Sequence, residues 1–518
     1  MALMAKRPGI STTVAEIRTY VLGLDAGNTV IKAVLFDQNG QQIAVHALDG
    51  QSSTPEPGHV ERDLNELWSN AREAISGCMA KARVQADQIA AVGCAGHGNG
   101  LYLLDRDGAP LVGIQSLDTR ASDLAAELGA AHGDRLHEIC LQKPWPSQTP
   151  TLLAWIKRYR PEVFERAQTV LLCKDFITYK LTGERVSDLS DMSGCGLTRM
   201  PECRYDDTLL NLYGLSDARE MLPRLIDPAE VAGVITPAAA AATGLAPGTP
   251  VIGGYFDVVS SALGSGVVGA GEASIIVGTW SINQVFSSLP VVDPSVFMAS
   301  GFGQGRFVNI EASATSAANL EWYVRELVER GGHPDDPFGY CNARVGEVRP
   351  AMDDPFSHPF LYGSGQGAQF RAGFYGLAGW HGEGHLLRAL FEGVMFEHRR
   401  HIGVLQDAGV SFDRAVLSGG GARSPHWPQM FSDCLGVPIT VAEAQETGAL
   451  GAAIGAACAI GQVASYEEGI ARMTRVRQTF EPDSEKFTHY ANRYETYLDL
   501  IDTMQSFWSR RVVGKDVP

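Results

Sequence analysis

Apolar and polar positions alternate in blocks along the first hundred residues. Val21–Leu24 and Val30–Phe36 are apolar runs parted by Gly27 and Asn28, and Asn39-Gly40 marks a second turn before IAVHAL. This predicts two or three strands joined by tight turns. Leu64, Leu67, Trp68, Ala71 and Ile75 then recur at the spacing of one helix face, and IAAVGCAG is an unbroken apolar run that predicts a buried strand. Strands that alternate with helices predict an α/β fold.

The middle of the chain repeats the signal. PVIGGYFDVVSSALGSG predicts a strand, a Gly-Gly turn and a helix, and EASIIVGTWSINQVFSS predicts a second hairpin. That hairpin is similar to LGLDAGNTVIKAVLF, which suggests a duplicated domain with a boundary in the Gly-rich stretch Gly264–Gly271. From His385 onward helices are expected to dominate, with strands at Ala415–Leu417 and Pro438–Val441. Gly448–Ala464 is apolar, built of Ala and Gly, and just short of a membrane span, so a closely packed core helix is expected. His398 and His401 stand three apart with Arg399 and Arg400 between them, which predicts a solvated helix face rather than a metal site.

Composition narrows the class. The chain has 518 residues, room for roughly two to four domains. Hydrophobic residues make up 45% and charged residues 19%, which excludes a disordered or fibrous chain. A formal charge of −17 argues against nucleic acid and anionic membranes as partners. Nine cysteines are scattered with no C-x-x-C pair, which fits free thiols in a reducing compartment. The first twenty residues lack the unbroken apolar core of a signal peptide, so a cytoplasmic protein is expected. There is no P-loop, no H-E-x-x-H and no G-x-S-x-G. Gly264, Gly266 and Gly269 match G-x-G-x-x-G, but they follow a helix and lead into a strand, the reverse of a dinucleotide site.

Four segments could carry chemistry. Asp25, Gly27, Asn28 and Thr29 lie where an apolar strand runs into a glycine turn. There an acid can hold Mg²⁺ through water, turn N–H groups and a hydroxyl can face phosphate, and Lys32 can point at the same anion. Gly278-Thr279 is the matching tip of the second hairpin. Asp257 follows Gly253-Gly254 at a helix start, where it either caps the helix or takes a proton from a substrate hydroxyl. Gly419-Gly420-Gly421-Ala422-Arg423-Ser424 follows an apolar strand and lets a flat or anionic ligand lie on the backbone, with a helix expected to begin near Ser424-Pro425.

Taken together, Asp25-x-Gly27…Thr29, Gly253-Gly254-x-x-Asp257, Gly278-Thr279 and GGGARSPHWPQMFSD resemble the FGGY carbohydrate kinases. AGFYGLAGWHGEGHLLRALFEG and ETGALGAA extend the resemblance, which runs from about Val21 to about Gly461. It implies two ribonuclease-H-like domains of the actin/hexokinase ATPase type with a cleft between them. The implied layout is a tail (1–20), a sugar-binding domain (21–264), a nucleotide-binding domain (265–480) and a helical C-terminal segment (481–518). It implies ATP and Mg²⁺. Asp25 and Asp257 would lie at the metal, with Asp257 also the base. Gly27, Asn28, Thr29, Lys32, Gly278 and Thr279 would face phosphates, and Gly420, Gly421 and Ser424 the nucleoside. His97, Asn99, Asp118 and Asp257 would meet the sugar. His97 could instead be a structural histidine behind the pocket, and Asp118 could simply pair with Arg120. GHGNGLYLLD, GYFDVVSSAL, VGTWSINQ, EASATSAANLEW and HPFLYGSGQG look most like the L-xylulose kinase branch. The implied reaction is phosphorylation of a ketopentose to its 5-phosphate. Other substrates, such as ribulose, erythritol, glycerol or gluconate, stay open, as do a homodimer and an actin-like or chaperone-like ATPase.

Overall fold

Strand Tyr20–Ala26 pairs antiparallel with Val30–Phe36 in a register that sets Asp25 opposite Lys32, and parallel with Ile89–Gly96, which sets Asp25 beside Ala95. The computed structural model describes residues 19–332, 335–365 and 370–510. All but the end of the expected 1–20 tail lies outside them. So do residues 511–518 of the C-terminal segment and the last two residues of HPFLYGSGQG.

The N-terminal sheet runs, edge to edge, 42–49, 30–36, 20–26, 89–96, 250–252 and 231–234, with 255–256 also paired to 89–96. The C-terminal sheet runs 298–303, 306–313, 281–287, 271–277, 412–418, 439–442 and 476–480. Their inner orders coincide. In each, a hairpin strand is flanked by an antiparallel partner on one side and two parallel strands on the other, and an antiparallel strand closes that edge. The repeat suggested by the two hairpins is thus a repeat of topology. The edge strand Val476–Phe480 escapes sequence reasoning because Val476, Arg477, Gln478 and Thr479 are exposed and carry no apolar run.

Two helices join the lobes. Asp257–Gly264 lies against Thr447–Ala459, whose small residues are nearly all buried. A methyl group on Gly451 would overlap the Ser260 carbonyl, and one on Gly23 or Gly93 of the N-terminal sheet would overlap the carbonyl of Ala449 or Ala452. A helix from the second half of the sequence is therefore seated on the sheet of the first. This is the core helix expected from the Ala/Gly stretch, ending at Ala459. Among the described residues no helix is long and apolar enough to cross a membrane.

The expected solvated face at His398 and His401 is overturned. Both rings are buried in the helix Glu383–Asp407, which packs across the C-terminal sheet. His398 bonds to Asn283 and Ser316, and His401 to Ser281 and Asn283. The charged neighbours misled because Arg400 is neutralised by Glu397 and Arg399 lies over the Tyr494 ring, so the helix carries its charge inward. Burial holds both imidazoles neutral, well below their usual range.

Candidate active site

The two hairpin tips and the two strand-end loops converge on one cavity of about 320 Å³ between the lobes. Asn28, Thr29, His97, Asn99, Ser116, Trp145 and Asp257 line it from the N-terminal lobe, and Thr279 and Trp280 from the C-terminal lobe. Each tip is closed by its own backbone: Gly27 N–H donates to Val30, and Gly278 N–H to Trp280. Gly278 is open, with nothing closer than 3.8 Å to where a Cβ would stand.

The loop after strand Ile89–Gly96 turns sharply because Asn99 and Gly100 both take positive φ, 61° and 78°. That turn aims the polar atoms of the loop into the cavity. His97 Nε2 is 2.9 Å from the Tyr102 hydroxyl, while its Nδ1 is buried without a partner. Burial pushes this imidazole down to about 4, so it is neutral at neutral pH. Asn99 Oδ1 and Trp145 Nε1 are likewise buried and unpartnered. His97, Asn99 and Trp145 thus bring an imidazole, an amide and an indole to the wall of a single small cavity, a polar lining among apolar side chains that suits a hydroxyl-bearing ligand. Trp145 was not foreseen. In KPWPSQTP it reads as a loop tryptophan, and only the fold brings it to the cavity.

Asp257 is the first residue of its helix rather than the residue before it, and its Oδ1 accepts the Val258 N–H at 2.7 Å. Burial, and after it the charge of Asp25, pushes its carboxyl up to about 8. Burial also raises Asp25 to about 6 against the pull of Lys32. Asp25 itself packs against the other lobe, where a Cβ on Gly448 would stand only 2.5 Å from its Oδ2.

A second cavity of about 550 Å³ lies between Lys32 and the glycine loop of the C-terminal lobe. Lys32, Gly419, Gly420, Arg423, Thr447 and Arg477 are in its wall. Three cations, with Glu443 the acid in the same wall, and the open backbone at Gly420 suit a polyanion. Arg477 was missed together with its strand. Lys32 is 2.8 Å from Glu446 Oε2, so its charge is shared with the other lobe.

Three predicted residues are placed elsewhere. Asp118 does not reach the cavity, because its carboxylate is taken by Arg120 (2.8 Å) and the Val60 N–H (2.6 Å). Gly421 packs: a methyl group there would overlap Val277 and stand 3.0 Å from the Trp427 ring. Ser424 donates to Asn342 at 2.7 Å and accepts from the His426 N–H. The helix expected near Ser424-Pro425 begins at Trp427, with Pro428 in its first turn, because Gly420–Arg423 first makes a tight 3-10 turn.

Among the described residues no cluster of three or more His, Cys, Asp or Glu could hold a metal alone. Mg²⁺ needs none, since it is held through one or two carboxylates, water and substrate phosphates. Two half-buried acids, of which Asp25 raises the proton affinity of Asp257, fit a shared divalent cation.

Comparison with known proteins agrees with this geometry. Residues 20–264 match the N-terminal domain of the FGGY family of carbohydrate kinases, and residues 273–460 match its C-terminal domain. The chain is 33% identical to the L-xylulose/3-keto-L-gulonate kinase of Escherichia coli (strain K12), over 95% of this chain and 98% of that one. It is 32% identical to a probable L-xylulose kinase of Haemophilus influenzae, over 94% and 99%. The crystal structure of xylulose kinase from Rhodospirillum rubrum superposes with a TM-score of 0.87 at 29% identity, covering 95% of this chain and all of that one. The actin-like and chaperone-like alternatives fall with these matches: the chain belongs to the FGGY family of carbohydrate kinases.

Proposed function

We propose that this protein transfers the γ-phosphoryl group of ATP to the terminal hydroxyl of a ketopentose, with L-xylulose as the leading candidate. One observation carries the reading: the Asp257 carboxylate shares a small inter-lobe cavity with His97, Asn99 and Trp145 and with the tip of the opposing hairpin. The related L-xylulose kinases suggest the sugar.

His97, Asn99 and Trp145 would bind and orient the sugar against the wall of Phe256, Phe297 and Met298. Asp257 would accept the hydroxyl proton as the oxygen attacks. Thr279 and the Asn28–Thr29 segment would direct donors at the phosphates, Gly27 and Gly278 would let the backbone approach them, and Lys32, Arg423 and Arg477 would balance the nucleotide's charge. Asp25, with Asp257 beside it, would hold Mg²⁺. When bound, that cation would neutralise phosphate charge and let Asp257 ionise at neutral pH. Phosphoryl transfer asks mainly for such positioning and charge placement, and lobe closure would keep water from competing as acceptor. All nine cysteines are unpaired, which suits a reducing cytoplasm.

The test is an ADP-release assay with Mg-ATP across D- and L-xylulose, D- and L-ribulose, erythritol, glycerol and gluconate. The reading expects a ketopentose to give the highest kcat/KM. A polyol or aldonate in first place replaces the substrate, and ADP release indifferent to every sugar removes the reading.

A further inference from the structure

Behind the segments that line the sugar cavity sits a fully buried lysine. Lys174 Nζ lies 2.5 Å from Asp175, 2.5 Å from Asp188 and 3.4 Å from Asp191, and all four side chains are almost completely hidden from solvent. Its stem passes between two glycines. A Cβ on Gly96 would stand 3.0 Å from Lys174 Cβ, and one on Gly254 would stand 3.4 Å from Lys174 Cδ. Gly96 directly precedes His97, and Gly254 stands three residues before Asp257. The lysine is thus wedged between the segment that carries the sugar-facing loop and the segment that carries the base.

A directed chain of hydrogen bonds leaves this cluster. Asp188 accepts the Ser190 N–H at 2.7 Å and also the Ser190 hydroxyl. Ser190 Oγ in turn accepts the Phe256 N–H at 3.0 Å, and Phe256 is the residue before Asp257. The same short helix, Leu189–Gly194, is gripped from the other lobe. The Ser190 carbonyl accepts the Ser300 hydroxyl at 2.5 Å, and Ser193 Oγ accepts the Gly301 N–H at 2.7 Å. Ser300 and Gly301 lie on strand Met298–Gly303, whose Met298 lines the sugar cavity.

Burying one lysine among three aspartates, two of which burial pushes up, costs desolvation that apolar side chains would avoid. A connected polar network of this kind fixes geometry. We propose that Ser190, polarised by Asp188 and Lys174, is a positioning residue for Asp257. It holds the peptide ahead of the base and ties that peptide to the C-terminal lobe, so that the base is in place only when Met298–Gly303 is docked. The proposal rests on the reading of Asp257 as the base.

The experiment compares wild type, Ser190→Ala and Ser190→Thr, measuring kcat, KM for sugar and for ATP, ATP hydrolysis without sugar, and Tm, with kinetics run well below the lowest Tm. A displaced base costs turnover far more than binding, so Ser190→Ala should lose about 10- to 100-fold in kcat while both KM values stay within about threefold. Sugar-independent hydrolysis should change less than sugar phosphorylation. Ser190→Thr, which keeps the hydroxyl, should recover most of the kcat. A Ser190→Ala enzyme with a lowered Tm but kcat within about twofold of wild type shows a merely structural serine and overturns the proposal. If Ser190→Ala does not fold, Ser300→Ala decides: it should lower kcat at unchanged KM, and an unchanged kcat overturns the proposal equally. Wild type that phosphorylates no sugar would instead refute the function itself, a distinct result.

Discussion

Replacing Asp257 by Asn should cost activity and add stability, and the same environment sets both effects. Asn has nearly the shape of Asp and keeps an oxygen to accept the Val258 N–H, so the fold has no steric reason to change. Turnover should fall at least about 10²-fold, because the amide cannot take the hydroxyl proton. Stability follows from the carboxyl's shift from 3.8 to about 8, caused first by burial and then by Asp25. A carboxyl raised in the folded state contributes its full stability below the unfolded value near 4, and that contribution is lost as pH climbs through 8. Because the unfolded carboxyl ionises freely while the folded one holds its proton, the wild type loses roughly 5 kcal/mol by pH ~8 but only about 1–2 kcal/mol at pH ~5. Asn removes this dependence. Against wild type, the variant should gain about 3–4 kcal/mol between pH ~5 and pH ~8, read as a Tm advantage of several degrees that opens with pH. The measurements are ADP release with saturating Mg-ATP and sugar, and thermal unfolding of the ligand-free protein at both pH values. Turnover within tenfold of wild type would remove Asp257 from the role of base. A Tm difference that ignores pH would refute the electrostatic reasoning.

Asp25→Asn should raise the Mg²⁺ concentration needed for half-maximal rate and lower kcat with it; an unchanged metal titration would count against Asp25 as a ligand. Trp145→Phe deletes one N–H and keeps the ring, so KM for the sugar should rise about 5- to 20-fold while KM for ATP holds; equal KM values for the sugar would show that the indole nitrogen meets no hydroxyl. Gly451→Ala gains about 1 kcal/mol of helix propensity but forces the two central helices apart at the Ser260 carbonyl, for a net loss of at least about 2 kcal/mol. Its Tm and protease resistance should both drop, and a Tm at or above wild type would show that the helices can yield.

Much of the scaffold was legible because period and punctuation agreed. Leu64–Ala82 and Ile89–Gly96 are found where apolar spacing predicted a helix and a strand, and both hairpins turn at their glycines. What stayed hidden was what pairs with what. For Asp118 the sequence offers both a sugar contact and a pairing with Arg120, and only the folded loop shows that the pairing is made. Gly421 looks like Gly420 until Val277 is packed beneath it. Trp145 and Arg477 reach their cavities only through chain reversals that no local window encodes. The buried histidines failed for the opposite reason: flanking arginines imply solvent only when no buried acid is there to meet them.

The Ala/Gly helix Thr447–Ala459 also governs how the chain can be divided. Its carbonyl ridge fits against Gly23 and Gly93, so a fragment ending at residue 264 would leave that face of its sheet bare, and the complementary fragment would carry a greasy, unclad rod. The two topologically alike halves are interlocked, each completed by the other. Tolerated breaks or insertions should therefore lie in peripheral loops, while a cut at the apparent seam should yield pieces that aggregate unless they are made together.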